Sequence, residues 1–217
     1  MKKRILVGIS GGIDSTVSAL LLKQLNFEVI GVMMSIWDGE YIPNAKHACY
    51  GGNEVDEIKE AKELCKIINI PLYVIDCSKV FKEIALKNFI EEYGLGRTPN
   101  PCILCNQRVK FGALIDSAKL LGIDFYKFAT GHYANVSYDK VTNRYQLIKA
   151  IDNKKDQTYF LNRFSQEQLS NTIFPLGNLT KENVRKIALS YGLPFNNKKE
   201  SQDFYSCLLY TSDAADE

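Results

Sequence analysis

The sequence predicts an α/β protein in which a parallel β-sheet is flanked by helices. Three observations carry this reading. Short apolar runs of strand length alternate with stretches whose apolar residues recur at helical spacing. The first run, Ile5-Leu6-Val7, passes through a small-residue turn straight into a helix. Polar, irregular segments follow the strands, and that edge of a parallel sheet is where such proteins place ligands.

The turn is Gly8-Ile9-Ser10-Gly11-Gly12-Ile13-Asp14-Ser15, and the helix it feeds reads as Thr16 to Gln24, with Val17, Leu20, Leu21 and Leu25 near one face. A strand, a Gly-rich turn and a helix place several backbone N–H groups at a helix N-terminus. Those unsatisfied donors and the helix dipole both favour an anion. Glycine lets the backbone approach a phosphate where a Cβ would clash. The turn lacks the Gly-Lys-Ser/Thr ending of the Walker loop.

A second buried strand is expected over Phe27 to Met34, then a polar loop over Trp37 to Gly52 that contains His47 and Cys49. Val55, Ile58, Ala61, Leu64, Cys65 and Ile68 mark a helix over Glu54 to Asn69. Leu72 to Asp76 reads as the third strand and Val80 to Tyr93 as a helix. Gly94 to Asn106 reads as a Gly/Pro-broken loop, Val109 to Leu121 as a helix, and Phe125 to Ala129 as a fourth strand that ends in Thr130-Gly131-His132-Tyr133. Val136 to Lys149 is expected to form a hairpin turning at Asp139 to Asn143. Gln157 to Phe160 is short and apolar-rich. Helices are expected at Ser165 to Ser170, with a Ser cap, and at Thr180 to Tyr191, capped by Thr180 and ended by Gly192.

With 217 residues the chain can bury a full core. Its net charge of +2 neither demands nor excludes a nucleic-acid partner, because a basic patch can sit on a balanced protein. No run is long enough to span a membrane, and Met1-Lys2-Lys3-Arg4 leads directly into a strand instead of a signal peptide. The expectation is therefore a cytoplasmic protein. In that compartment six cysteines suggest metal binding, catalysis or core packing, and no disulfide framework. Cys102 and Cys105 form a Cys-x-x-Cys pair, compatible with a zinc knuckle, a redox pair or an iron–sulfur corner. No second such pair completes a four-cysteine zinc site.

The Ser-Gly-Gly-x-Asp-Ser turn after a first strand resembles the pyrophosphate loop of the ATP pyrophosphatases, which cleave ATP between the α and β phosphates and adenylate an oxygen of their substrate. The wider pattern is more specific. GISGGIDS, GRTPNPCILCNQRVKFGAL, FATGHYA, KKDQTYFL and KKESQDF follow one another in the order seen in the tRNA-specific 2-thiouridylase family, from about Ile5 to Tyr205. The resemblance implies a Rossmann-like sheet of the adenine nucleotide α-hydrolase type, with the start of a small helical or mixed extension. It divides the chain into an ATP pyrophosphatase domain at 1–164 and the start of a central tRNA-binding region at 165–206. Residues 207–217 resemble the translation of a sequencing-library adapter and read as a non-native tail, so Cys207 receives no role.

Carried over by position, the resemblance implies ATP-dependent 2-thiolation of the tRNA wobble uridine. Gly8, Ile9, Ser10, Gly11, Gly12, Ile13, Asp14 and Ser15 would hold the ATP phosphates, with Asp14 near Mg²⁺ or the pyrophosphate. Met34 would contact the adenine, and Gly131 would line the nucleotide pocket. Cys105 matches the loop nucleophile. Asn100, Pro101 and Cys102 occupy the stretch that meets the target base, His132, Lys155, Asp156 and Gln157 match tRNA-contacting positions, and Arg97 and Lys155 suit contacts to tRNA phosphates. A sulfur donor is implied as partner: a sulfur-relay protein, a cysteine desulfurase or free sulfide.

Two departures from the family pattern concern sulfur. Cys102 stands where most members have Asp, and Tyr205 where the second family cysteine falls. Either Cys102 replaces the missing partner of Cys105, or Cys102, Cys105 and a third cysteine, best Cys49, hold a [4Fe–4S] cluster. Cys65 and Cys77 read as core residues. Two other readings stand beside this one. The first is another ATP pyrophosphatase, such as a different tRNA thiolase or an amidotransferase-type synthetase. The second is a nucleotide- or metal-binding module without catalysis.

Overall fold

The computed structural model describes residues 2–37 and 54–195. Cys49, Tyr205 and Cys207 lie outside the described residues. Strand β1 (Arg4–Gly8) is the centre of the sheet, and its Ile5, Leu6 and Val7 are fully buried. Helix α1 (Ile13–Gln24) begins three residues earlier than the sequence suggests. Gly12 is its extended N-cap, so Ile13, Asp14 and Ser15 already form the first turn, where an acid such as Asp14 suits the helix dipole.

Strand β2 (Glu28–Ser35), helix α2 (Glu54–Ile67) and strand β3 (Leu72–Asp76) follow. A long helical arm comes next: α3 (Ser78–Phe81), a π-helical segment (Lys82–Leu86) and α4 (Lys87–Gly94). A second arm runs through α5 (Pro101–Leu104), a π-helical segment (Cys105–Ala113) and α6 (Leu114–Leu120). Strand β4 (Lys127–Ala129) precedes the hairpin β5 (Ala134–Asp139) and β6 (Arg144–Lys149), then a 3₁₀ turn (Thr158–Leu161), α7 (Gln166–Ser170), β7 (Thr172–Ile173) and α8 (Lys181–Ser190).

The second arm corrects the expected loop over Gly94 to Asn106. The helix starts at Pro101, eight residues before the apolar pattern at Val109. Asn100 caps it, its Oδ1 accepting the Cys102 N–H at 3.1 Å, and Pro101 takes the first helical position, where no N–H is needed. The residues that read as helix breakers are the ones that start this helix.

The main sheet has the order β3-β2-β1-β4-β7, with every pairing parallel. Successive β1 side chains enter opposite layers. Ile5 and Val7 join the layer of α1, α2 and α8, and Leu6 joins the layer of the two helical arms. Residues 172–195 build onto this same sheet and core: β7 pairs with β4, and Val184, Ala188 and Leu193 pack in the α1 layer. From β1 the chain winds outward through β2 to β3, then crosses to β4 on the other side. The carboxyl ends of β1 and β4 therefore flank a topological switch point, the place where open parallel sheets bind ligands.

Candidate active site

Two Gly-containing stretches that are far apart in sequence meet at this switch point. The first follows β1. Ser15 Oγ lies 3.2 Å from the Ser10 N–H, which donates to it, and donates in turn to the Gly12 carbonyl at 3.1 Å, so the turn is braced from within. Gly11 has φ +70°, a left-handed conformation that packs the turn against α2 beside Glu57 and Ala61. The second stretch is Thr130-Gly131-His132 after β4. A Cβ on Gly131 would stand 2.6 Å from the Ser15 nitrogen and 2.7 Å from the Asp14 carbonyl carbon. Gly131 is thus needed for the close approach of the β4 end to the start of α1. Met34 lies two residues beyond Val32, the partner of Gly8, at the same edge of the sheet.

Asp14 is held by Tyr133, which the FATGHYA motif contains without a role assigned to it, and by Lys181, which lies in none of the motifs. Its Oδ1 accepts from the Tyr133 hydroxyl at 2.8 Å, and Lys181 Nζ lies 2.8 Å from Oδ1 and 2.7 Å from Oδ2. Lys181 is 7% exposed. It occupies the first position of α8, where the positive end of the helix disfavours a cation. That unfavourable placement is the one sequence signal that could have singled it out. Glu54 was also missed: it is buried and accepts from Ser35 Oγ at 2.6 Å and the Ile36 N–H at 2.7 Å, fixing the end of β2 next to Met34.

The cysteines lie at the start of the second helical arm. Cys102 and Cys105 are three residues apart on one helix and therefore share a face. Cys102 is half-buried near the N-terminus. Cys105 is buried, and burial pushes its thiol up to about 11; Lys110 opposes this, while Cys102 and Cys77 add to it. Cys102 therefore stands in the first turn of this helix, and Cys105 one turn further in. Cys77 follows β3, its N–H donating to the Ser35 carbonyl at 2.7 Å, which places the Cys105 neighbourhood beyond the ends of β2 and β3. Cys65 and Cys77 are buried core thiols, each pushed up to about 11 by burial.

The π-helical turn after Cys105 kinks at Phe111, which has φ −101° and ψ 18°. Gln168 Nε2 caps the freed carbonyls of Gln107 (2.7 Å) and Phe111 (3.0 Å). Next to Cys105, Asn106 is 5% exposed and its Oδ1 has no hydrogen-bond partner among the described residues.

The expected tRNA-contacting residues fall into two groups. Asn100 and Pro101 start the cysteine helix, and Arg97 pairs with Glu92 at 2.7 Å on the surface. His132 bonds Thr130 Oγ1 through Nδ1 at 2.7 Å and packs near Phe111 and Phe174. Burial, with Lys110 adding to it, holds its ring well below the ordinary histidine range, so it is a neutral imidazole at pH 7. Asp156 accepts from the Ala150 N–H (2.8 Å) and Thr158 (2.6 Å), and Gln157 Oε1 accepts from the Tyr133 N–H (3.0 Å). Lys155 stands half-buried in the same loop.

The groups implied by the resemblance fit unequally. The braced turn and the Gly131 approach fit a polyphosphate. Asp14 fits a Mg²⁺ that arrives with phosphates, because that ion needs only one or two carboxylates when substrate oxygens complete its shell. No group of three His, Cys, Asp or Glu able to hold a metal ion occurs among the described residues, and Cys49, the expected third ligand of an iron–sulfur site, lies outside them.

Residues 3–210 match the family described as the tRNA methyl transferase HUP domain. The chain belongs to this family. Its relatives include the tRNA-specific 2-thiouridylase MnmA of Endomicrobium trichonymphae, 53% identical over 206 residues that cover 93% of this chain and 57% of that protein. The protein of the same name from Clostridioides difficile (strain 630) is 41% identical over 215 residues, covering 99% of this chain and 58% of the relative. The chain thus spans little more than half the length of these curated relatives. The family expected from the motifs is the one found. Among solved structures, a 4-thiouridine synthetase–RNA complex with bound ATP shares the fold at TM-score 0.52 and 14% identity, over 97% of this chain and 50% of that one. A predicted subunit of tRNA methyltransferase from Methanocaldococcus jannaschii shares it at TM-score 0.51 and 19% identity, over 99% and 89%.

Proposed function

We propose that this chain is the catalytic part of an enzyme that uses ATP to place sulfur on C2 of the wobble uridine of tRNA. The carrying observation is that Gly131 is packed onto Asp14 and Ser15 at the switch point while the Cys102–Cys105 helix stands at the same edge of the sheet. The relatives named tRNA-specific 2-thiouridylase support the substrate, and the fold shared with an ATP-bound synthetase–RNA complex is consistent with the nucleotide.

The chemistry has two halves. The uridine O2 attacks the α-phosphorus of ATP, forming the O–P bond as pyrophosphate leaves. Residues 8–15 hold the phosphates through backbone donors, and Met34 contacts the adenine. Mg²⁺ bound with ATP would offset the charge of the leaving pyrophosphate, with Asp14 as its protein ligand. A sulfur nucleophile then attacks C2, and AMP leaves with the former O2. If the sulfur is the outer atom of a Cys105 persulfide, the Cys102 thiolate attacks Cys105 Sγ. The S–S electron pair then passes to the sulfur now on the base. A Cys102–Cys105 disulfide remains, and an external dithiol reduces it. The shared helix face suits that exchange.

The target base has to leave its stack to reach these residues. The unpartnered Asn106 Oδ1 supplies an acceptor for the uracil N3–H. Arg108 and Arg163 line a groove of about 400 Å³ with Lys87 and Leu104, together with the acids Glu83 and Glu91. This groove flanks the cysteine helix and, with Arg97 and Lys155, suits RNA phosphates. His132 serves as a neutral hydrogen-bonding or stacking group, and Asp156 and Gln157 shape the loop carrying Lys155. The sulfur donor remains one of a relay protein, a cysteine desulfurase or free sulfide. No helix among the described residues is long and apolar enough to cross a membrane.

The test places Cys102→Ala and Cys105→Ala separately in the full-length protein, in cells lacking any other source of wobble thiolation. Mass spectrometry of tRNA nucleosides should show 2-thiouridine lost in both. Persistence at wild-type level in both would overturn the sulfur assignment.

A further inference from the structure

The Asp14 carboxylate is already engaged by Lys181 and Tyr133. Two features make a purely structural ion pair a poor account of this. Asp14 stands in the first turn of α1, where an acid is favoured without a lysine, and its side chain remains 32% exposed. Lys181 stands at the first position of α8, where a cation is disfavoured, yet it is almost fully buried against the nucleotide turn. Fixing a lysine in so unfavourable a place is explained if its charge has a second use there.

We infer that Lys181 is a phosphate-binding residue of the nucleotide site, held by Asp14 until a metal–polyphosphate complex arrives. The inference rests on the reading of residues 8–15 as that site. Asp14 cannot neutralise both a divalent cation and the lysine. Once the carboxylate becomes a metal ligand, the lysine is left beside the incoming phosphate oxygens and exchanges one anion for another. Its main chain need not move, because its N–H is fixed by Asp152 Oδ2 at 2.9 Å and the Asn183 N–H by the Thr180 cap at 3.2 Å. Tyr133 keeps its hydroxyl on Asp14 Oδ1 and so holds the carboxylate in place during the exchange.

The experiment is isothermal titration calorimetry with inorganic pyrophosphate, in EDTA and in Mg²⁺. The proteins are wild type, Asp14→Asn, Lys181→Met and the double variant, each checked for folding by its melting curve. The double variant removes both charges together, so no buried charge is left unpaired. In EDTA, Asp14→Asn should bind pyrophosphate about tenfold more tightly than wild type, because the lysine is freed and the repelling carboxylate is gone. Adding Lys181→Met should abolish that gain. Equal binding by Asp14→Asn and the double variant would overturn the lysine assignment while leaving the site intact. Failure of the wild type to bind pyrophosphate even with Mg²⁺ would overturn the assignment together with the reading of residues 8–15.

Discussion

Gly131 admits no side chain, because a methyl group there would overlap the backbone at Asp14 and Ser15. Gly131→Ala should lower stability by about 1–3 kcal/mol, measured by urea unfolding, and should weaken ATP binding in calorimetry. Asn106 makes the opposite prediction for stability. Its Oδ1 is buried and unpartnered in the free protein, so Asn106→Leu should leave the urea midpoint unchanged or raised while 2-thiouridine in tRNA falls sharply. The thiols carry a pH signature. Cys65, Cys77 and Cys105 all sit near 11, above the ordinary 9.0, so the folded chain holds their protons more tightly than the unfolded chain does. Their contribution to stability is complete below pH 9 and is lost as pH rises towards 11. The urea midpoint should drop across that window, and less steeply in Cys65→Ala. In the folded protein at pH 7.5, iodoacetamide should modify Cys102 before Cys105.

At the scale of elements, the cysteine helix depends on a neighbour far away in sequence. Gln168 belongs to the capping box of α7 and also satisfies two carbonyls at the kink after Cys105. Gln168→Ala should cost about 1–3 kcal/mol by leaving those groups unpaired, and amide exchange should quicken around Phe111. The β1–turn–α1 unit was legible because an apolar run, small residues and a helical stripe are all local signals. The start of the helix at Pro101 was not, since proline and asparagine are as common in loops as at helix starts, and only the cap geometry separates the two. Strand β7 has two residues, too few to show a period. The Lys181–Asp14 contact joins positions 167 residues apart, and no local pattern encodes it.

Across the whole molecule, the sheet and the turn at residues 8–15 would serve only the activation half of the proposed chemistry. The same architecture at low identity is found in a 4-thiouridine synthetase and in a predicted subunit of tRNA methyltransferase, so the fold by itself does not choose the reaction. Under the proposed function, the cysteine helix and the groove beside it carry the choice. If that groove follows RNA phosphates, Arg108→Ala and Arg163→Ala should each weaken tRNA binding at low salt and reduce the salt dependence of log K by about one ion, whatever the tRNA sequence. The most direct test of the account is to identify the products of ATP cleavage when the full-length protein acts on unmodified tRNA with a sulfur source. The account predicts AMP and pyrophosphate, formed only with tRNA present and in step with 2-thiouridine. Formation of ADP and phosphate, or thiolation without ATP cleavage, would contradict it.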